Sequence, residues 1–213
     1  ILLALFLLRL SADSPLLKEA YRTEDPQAVI DAIDWDSFRD SLSSIVAILL
    51  AAYSKGSTSA VEEAKTSFKG GRLDMTGPIA ERFIQAISDM INELVESTKR
   101  GTYLIVEKLL EEGSGPSTAI PLLISLLGLT SQAASSILNV RKAQLKNGNP
   151  AKSVKDTVVK QSEKALLTRA GLISETESFS SVSQGRTDTW EQWAVAGLIS
   201  IDSLKQWVTK ADE

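Results

Sequence analysis

The chain has 213 residues, 43% of them hydrophobic and 23% charged, which is ordinary for a globular protein that buries a sizeable core. Its net charge of −4 argues against a protein that coats nucleic acid over its whole surface, so any such contact must be local. The sequence contains neither Cys nor His, which excludes disulfides, thiolate metal sites and nucleophiles activated by histidine.

The first 70 residues contain two strongly apolar runs. Ile1–Leu8 is wholly apolar but falls well short of the about 20 residues that a membrane span needs, so it predicts a helix buried in a core or against a partner. The end of a signal segment or of a longer span is the alternative. Ser41–Tyr53 favours a buried helix over a strand. Lys55-Gly56 is expected to break this helix, and a short amphipathic helix is expected over 57–68.

The first 40 residues are acidic, with eight Asp or Glu against four Lys or Arg. This pattern is typical of a solvated face, and an acidic surface for a basic partner is the alternative. Asp25-Pro26 predicts a helix start, because Asp caps helices and Pro suits the first helical position. The residues that follow form a partly apolar face: Val29, Ile30, Ile33 and Phe38.

Gly70-Gly71 predicts a loop between an N-terminal helical segment, residues 1–70, and a helical domain, residues 71–213. The pattern from Thr76 to Glu112 predicts a long helix that Gly77-Pro78 opens and that Gly101 kinks or divides. Its apolar residues recur at steps of three and four: Ile79, Phe83, Ile84, Ile87, Ile91, Leu94 and Val95.

The second half of the chain predicts three more helices. A short apolar helix is expected over Ile120–Leu129, followed by a helix that Thr130 caps and Asn147-Gly148-Asn149-Pro150 ends. A long helix is then expected over 151–184, and 199–213 is expected to form a short helix or, at 203–209, a strand. The overall prediction is a mainly α, multi-helix fold with long amphipathic helices and a small β element near the C-terminus. The apolar side of the last helix is Val154, Val158, Ala165, Leu166, Leu172, Ile173, Phe179 and Val182.

Residues 141–169 contain eight basic residues against two acidic ones, a local charge of +6 in an acidic chain. A solvated helix surface is the default interpretation, and contact with phosphates or with an acidic protein surface are the alternatives. No aromatic residue lies in this segment, so stacking on nucleic-acid bases is not indicated. The basic residues are Arg141, Lys142, Lys146, Lys152, Lys155, Lys160, Lys164 and Arg169.

The spacing of two tryptophans and of two glutamates near the end of the chain indicates how each pair lies on a helix. Trp190 and Trp193 are three residues apart and share a helix face, which favours packing or self-association over an anchor in a partner's pocket. Glu175 and Glu177 are about 200° apart on a helix, so they do not form a facing carboxylate pair. Thr176 and Glu177 are interpreted as an internal hydrogen-bonding and packing element.

Several short motifs follow one another between Leu126 and Glu213: GLTSQAASSIL, NVRKAQLKNGNP, LISETESFSSVSQGRTDTWEQW and KQWVTKADE. Through the order and spacing of these motifs, the chain resembles the head-morphogenesis or minor head protein family of tailed bacteriophages. The F protein of phage Mu belongs to this family. The positions that resemble the family motifs are Thr130, Thr176, Glu177, Gly185 and Trp190. Glu175 stands where the family has an arginine, which reverses the charge there.

The resemblance implies a structural minor head protein at the portal vertex, acting in head assembly and in DNA packaging or exit, with no catalysis, cofactor or metal. It implies the portal protein and the major capsid protein as partners, together with packaged double-stranded DNA through its phosphates. The implied location is the phage head near the portal, after assembly in the host cytoplasm.

Two further interpretations remain open. The chain could be an internal virion protein that is ejected with the DNA, in which case Ile1–Leu8 and Ile45–Ala52 would contact membrane. Alternatively, it could be an enzyme domain that works through carboxylates, which would require close, buried Asp or Glu side chains in a cleft.

Overall fold

The computed structural model describes residues 14–64 and 71–200, and these residues form seven α-helices and no strand. The predicted mainly α fold with long helices is therefore confirmed. The strand predicted at 203–209 and the helix predicted at Ile1–Leu8 lie outside the described residues. The helices are α1 Pro15–Arg22, α2 Pro26–Asp31, α3 Trp35–Glu63, α4 Pro78–Glu111, α5 Pro116–Leu126, α6 Ser131–Lys146 and α7 Ala151–Val195.

Local chemistry sets where the helices begin. The carboxylate of Asp25 accepts a hydrogen bond from the N–H of Gln27 at 2.9 Å, which confirms the predicted start of α2. The hydroxyl of Thr130 accepts one from the N–H of Ala133 at 3.2 Å, which confirms the predicted cap of α6. Proline has the helical φ angle, and its missing N–H costs nothing at a first position. Four helices begin with it: those at Pro15, Pro26, Pro78 and Pro116.

Two predicted interruptions of helices, the break at Lys55-Gly56 and a division at Gly101, are wrong. α3 runs through Lys55-Gly56 to Glu63, and α4 runs through Gly101 without a break. At Gly56 the physical reason is packing between helices. A Cβ there would lie 2.9 Å from the carbonyl carbon of Val182 on α7, so the glycine admits a neighbouring backbone rather than ending its own helix.

Two predicted helix boundaries are also wrong. α5 begins at Pro116 rather than Ile120 and continues through Pro121, because burial of its leucines and isoleucine outweighs the hydrogen bond that Pro121 cannot donate. α7 continues beyond residue 184 to Val195. Its last turns are held by the buried Trp193, whose Nε1 donates to the carbonyl oxygen of Gly71 at 2.8 Å.

The predicted apolar faces are confirmed in part. Val29, Ile30, Ile33 and Phe38 are all buried, as are Ile87, Ile91 and Val95 on α4. On α7 Val154 and Val158 are buried, but Leu172 and Phe179 are 61% and 76% exposed. The later part of α7 packs through small and polar residues instead, so hydrophobic periodicity indicated the wrong side of the helix. These packing residues are Ser181, Gly185, Asp188 and Thr189.

The chain divides into two compact units, each drawn from two stretches of sequence. Unit 1 is Ile1–Ser43 with Ile91–Leu172, and within it α1 packs against α2 and α5. Unit 2 is Ser44–Met90 with Ile173–Glu213. In unit 2 a cluster of Tyr53, Leu73 and Ala80 is covered by Met75, Ile79 and Phe83. The division into residues 1–70 and 71–213 stays a prediction.

Candidate functional sites: a lysine face and a polar cleft

Unit 1 presents a lysine face, which we define as the six lysines of the basic segment on α6 and α7. All six are exposed, and none forms an ion pair with another described residue. Their ammonium groups are therefore available to an anionic partner. The lysine face consists of Lys142, Lys146, Lys152, Lys155, Lys160 and Lys164.

Helical geometry places part of the lysine face opposite the core. At about 100° per residue, Lys152, Lys160 and Lys164 lie within about 120° of one another on α7, whereas Lys155 lies on the side opposite Lys164. Val154 and Val158 lie on the other side and are buried. Asp156 and Glu163 are exposed on the same side as these three lysines. They reduce the net charge of that side of α7 from +3 to +1, and that of all six lysines together from +6 to +4, so the attraction for an anion is moderate.

The two arginines of the basic segment are held inside unit 1. Nη1 of Arg141 lies 2.6 Å from Oε2 of Glu112, and the two side chains are only 13% and 21% exposed. Nη1 of Arg169 donates a hydrogen bond to the carbonyl oxygen of Gly128, and burial lowers the pKa of its guanidinium. Of the eight predicted contact residues, six therefore face solvent and two tie helices together.

Unit 2 contains a polar cleft of about 420 Å³, formed by residues of α3, α4 and α7. Its floor is apolar and includes Leu49, Phe83, Ile87 and Met90. Its polar wall carries one cation and three carboxylates among hydroxyl and amide groups. The polar residues that line it are Arg82, Glu177, Ser180, Ser181, Gln184, Asp188 and Glu191.

A buried hydrogen-bond network supports the wall of the cleft. The hydroxyl of Tyr53 donates to Oδ2 of Asp188 at 2.5 Å, and Nε2 of Gln184 donates to Oδ1 at 2.7 Å. Tyr53 is fully buried and Asp188 is 4% exposed. Burial, and then the hydrogen bond to Asp188, raise the pKa of the Tyr53 hydroxyl far above its ordinary value. The Tyr53 ring also stacks on Phe83, with centroids 3.9 Å apart.

Close approach of two backbones makes this network possible. A Cβ at Gly185 on α7 would lie 2.8 Å from the carbonyl carbon of Tyr53 on α3, and closer still to the carbonyl oxygen. Gly56 makes the reciprocal approach to Val182. The two glycines let α3 and α7 cross at a short distance, which brings the Tyr53 hydroxyl within reach of Asp188.

The charges of the cleft do not balance. Nη2 of Arg82 lies 2.7 Å from Oε1 of Glu191, so these two form an ion pair. Glu177 and Asp188 have no cationic partner in contact among the described residues. With one positive and three negative groups the cleft has a net charge of −2.

The positions that resemble family motifs are dispersed over the fold. Thr130 caps α6 in unit 1. Thr176 is exposed on α7, so its predicted packing role is wrong, whereas Glu177 is half-buried and lines the polar cleft. Gly185 lies at the helix crossing.

The two tryptophans form a packing pair. The rings of Trp190 and Trp193 meet edge to face, with centroids 5.3 Å apart and planes at 67°. Trp193 is buried and donates to a backbone carbonyl, so the packing interpretation is confirmed for that residue.

Sequence reasoning missed the polar cleft. Its central pair, Tyr53 and Asp188, is 135 residues apart, and no local pattern connects positions at that separation. The available signal was the spacing of Gln184 and Asp188, which are four apart and share a helix face beside Gly185. Within the described ranges, no group of three or more Asp or Glu is placed to hold a metal ion.

No protein-family model matches the chain, and no curated protein or solved structure is significantly similar to it.

Proposed function

We propose that the chain is a structural minor head protein of a tailed bacteriophage that docks at the portal vertex and acts by binding. The identity of the partner comes from the sequence resemblance over Leu126–Glu213. The structural observation that supports it is the lysine face, whose six lysines are exposed and make no ion pair with a described residue. Such a surface suits an anionic partner, either an acidic patch of the portal or capsid or the phosphates of packaged DNA.

The helices that carry the lysines are tied to their neighbours at several points. Nζ of Lys108 on α4 donates to Oγ of Ser135 on α6 at 2.6 Å. The Arg141–Glu112 ion pair joins the same two segments, and Arg169 on α7 bonds the loop before α6. A preorganised surface loses less entropy on binding, so lysines carried by fixed helices bind an anionic partner more tightly than lysines on a mobile segment would.

The moderate charge of the lysine face determines how strongly it should bind an anionic partner and how its binding should depend on salt. A contact of net charge +4 depends on salt, because exposed charges are screened within about 8 Å at physiological ionic strength. It steers and orients the protein on a larger assembly rather than gripping DNA unaided. This suits a low-copy component held at one vertex of the head.

The experiment that tests the proposal is quantitative mass spectrometry of purified particles, full and after DNA release, with cross-linking in both states. We expect a few copies in both, cross-linked to the portal through residues of the lysine face. Absence from both particles would overturn the assignment to the virion and leave an assembly factor. Retention without any cross-link to the portal or capsid would overturn the docking role.

A second candidate function, an internal virion protein ejected with the DNA, is favoured by one observation. α3 has 29 residues and a mean hydropathy of 1.3 over its most apolar window, so by length and composition alone it could cross a membrane. Its side chain Ile48 is 57% exposed. Loss of the protein from emptied particles in the same experiment would favour this candidate. The hydrogen bond and glycine crossing that hold α3 in unit 2 favour the docked protein.

A further inference from the structure

We propose that copies of this chain associate with one another, with the basic turn of one copy bound in the polar cleft of another. The basic turn is residues 146–152, between α6 and α7, with a lysine at each end. The contact is between copies, so it stands whether or not the portal is a partner.

The polar cleft is built to receive a cation. Asp188 is 4% exposed and is held by two neutral donors, Tyr53 and Gln184, and the cation of the cleft, Arg82, is paired with Glu191 instead. A buried carboxylate is stabilised by a positive charge more than by neutral donors alone. Glu177 adds a second unpaired carboxylate to the same wall. A volume of about 420 Å³ with an apolar floor accommodates the methylene stem of a lysine beneath its ammonium group.

The basic turn is the matching feature on the other side of the interface. Every residue from Lys146 to Lys152 is exposed, and the segment contains no acidic residue. Its charge of +2 equals in magnitude the −2 of the polar cleft. Gly148 has a φ of +76°, the left-handed conformation that turns the chain at the end of α6.

The two surfaces that meet in the proposed contact are different parts of the chain. The turn belongs to unit 1 and the cleft to unit 2. The contact therefore joins two unlike surfaces, and each copy contributes one turn and one cleft. A two-fold pair would make this contact twice, whereas contacts with two different neighbours would produce rings or open chains.

The test is sedimentation velocity of the 213-residue chain at about 0.1 M and about 1 M salt, where the screening length falls from about 10 Å to about 3 Å. We expect dimers or larger assemblies at low salt and monomers at high salt. The turn variant Lys146→Glu/Lys152→Glu and the cleft variant Glu177→Lys should each remain monomeric at low salt. Their equimolar mixture retains one intact turn and one intact cleft, so it should form 1:1 dimers and nothing larger.

A matched control separates this contact from general charge effects. Lys160→Glu/Lys164→Glu makes the same change in charge on exposed lysines outside the turn, and we expect it to associate like the wild type. Circular dichroism spectra should show that all variants are folded. The proposal is overturned if the wild type is monomeric at low salt, if the mixture fails to dimerise, or if the control variant also loses association.

Discussion

The hydroxyl of Tyr53 and the carboxylate of Asp188 are joined by a 2.5 Å hydrogen bond in the interior of unit 2. The bond connects α3 to α7 across 135 residues of sequence. It exists because Gly56 and Gly185 let the two backbones approach closely. The polar cleft therefore depends on a helix crossing and on a buried polar contact, and each can be tested separately.

Replacing Tyr53 by Phe should lower the free energy of unfolding by about 1.5–3 kcal/mol, the range for a hydrogen bond to a charged group. The variant leaves the Asp188 carboxylate with Gln184 as its remaining donor. Urea denaturation measures the loss. Tyr103→Phe is the matched control, because Tyr103 is half-buried and its hydroxyl makes no hydrogen bond with a described residue. This substitution should change the free energy of unfolding by less than about 0.5 kcal/mol. Equal losses in the two variants would contradict the assigned role of the Tyr53 hydroxyl.

Gly185→Ala should destabilise the protein by about 1–3 kcal/mol or more, because the new Cβ would collide with the Tyr53 backbone, which cannot move aside as a side chain can. Gly171→Ala on the same helix has open space around the added methyl group. It should stabilise the protein by about 0.5–1 kcal/mol through helix propensity. Thermal and urea unfolding of the two variants should thus shift in opposite directions. A neutral result at Gly185 would mean that the crossing is not tight.

Stability should fall between about pH 10 and pH 12. Burial, and then the charge of Glu112, raise the pKa of Tyr21 to about 12, above the ordinary value near 10 that applies in the unfolded chain. The folded state therefore retains the proton longer, and this contribution is complete below pH 10 and lost as pH rises to 12. Tyr53, whose pKa is raised in the same direction, adds to the loss.

Tyr21→Phe should make the alkaline decline less steep than in the wild type. At neutral pH it should cost little or even stabilise, because the buried Tyr21 hydroxyl has no hydrogen-bond partner among the described residues. Urea titrations at a series of pH values measure both effects. A parallel pH dependence in the variant and the wild type would exclude Tyr21 as a contributor.

Arg141→Gln should destabilise the protein, whereas Lys142→Gln should not. The Arg141–Glu112 pair is mostly buried, so we expect a loss of about 1–3 kcal/mol, between the values of exposed and fully buried pairs. Lys142 is exposed, so Lys142→Gln should change the free energy of unfolding by less than about 0.5 kcal/mol. A double-mutant cycle with Glu112→Gln isolates the pair. Coupling close to zero would mean that Arg141 is as available to a partner as its lysine neighbours.

Lys160→Gln/Lys164→Gln should weaken binding to an anionic partner and flatten its salt dependence. If the partner is duplex DNA, removing two phosphate contacts should reduce the slope of log K against log salt by about 1.8. Fluorescence anisotropy with a labelled duplex measures the slope. Lys55→Gln, an exposed lysine of unit 2, is the control and should leave the slope unchanged. An unchanged slope in both variants would exclude the lysine face from DNA contact and leave an acidic protein surface.

Local signals in the sequence determined much of the fold. Asp25-Pro26, Gly77-Pro78 and Thr130 mark helix starts because capping depends on a few adjacent residues. Helical class and the buried faces around Val29 and Val158 follow from periodicity, which is also local. The lysines of the basic segment are exposed as their charge leads one to expect, since isolated ammonium groups are costly to bury.

Contacts between distant segments decided the rest. Gly56 by itself predicts a break, because glycine weakens an isolated helix, yet a neighbouring backbone makes it a packing residue. Phe179 is exposed and Ser181 buried, because the partner helix selects small residues at a close crossing. Only the tertiary structure showed that the two arginines of the basic segment make internal contacts while its six lysines face solvent. It also placed Asp188 beside Tyr53. Such pairings arise from packing between helices, and no spacing within a single helix encodes them.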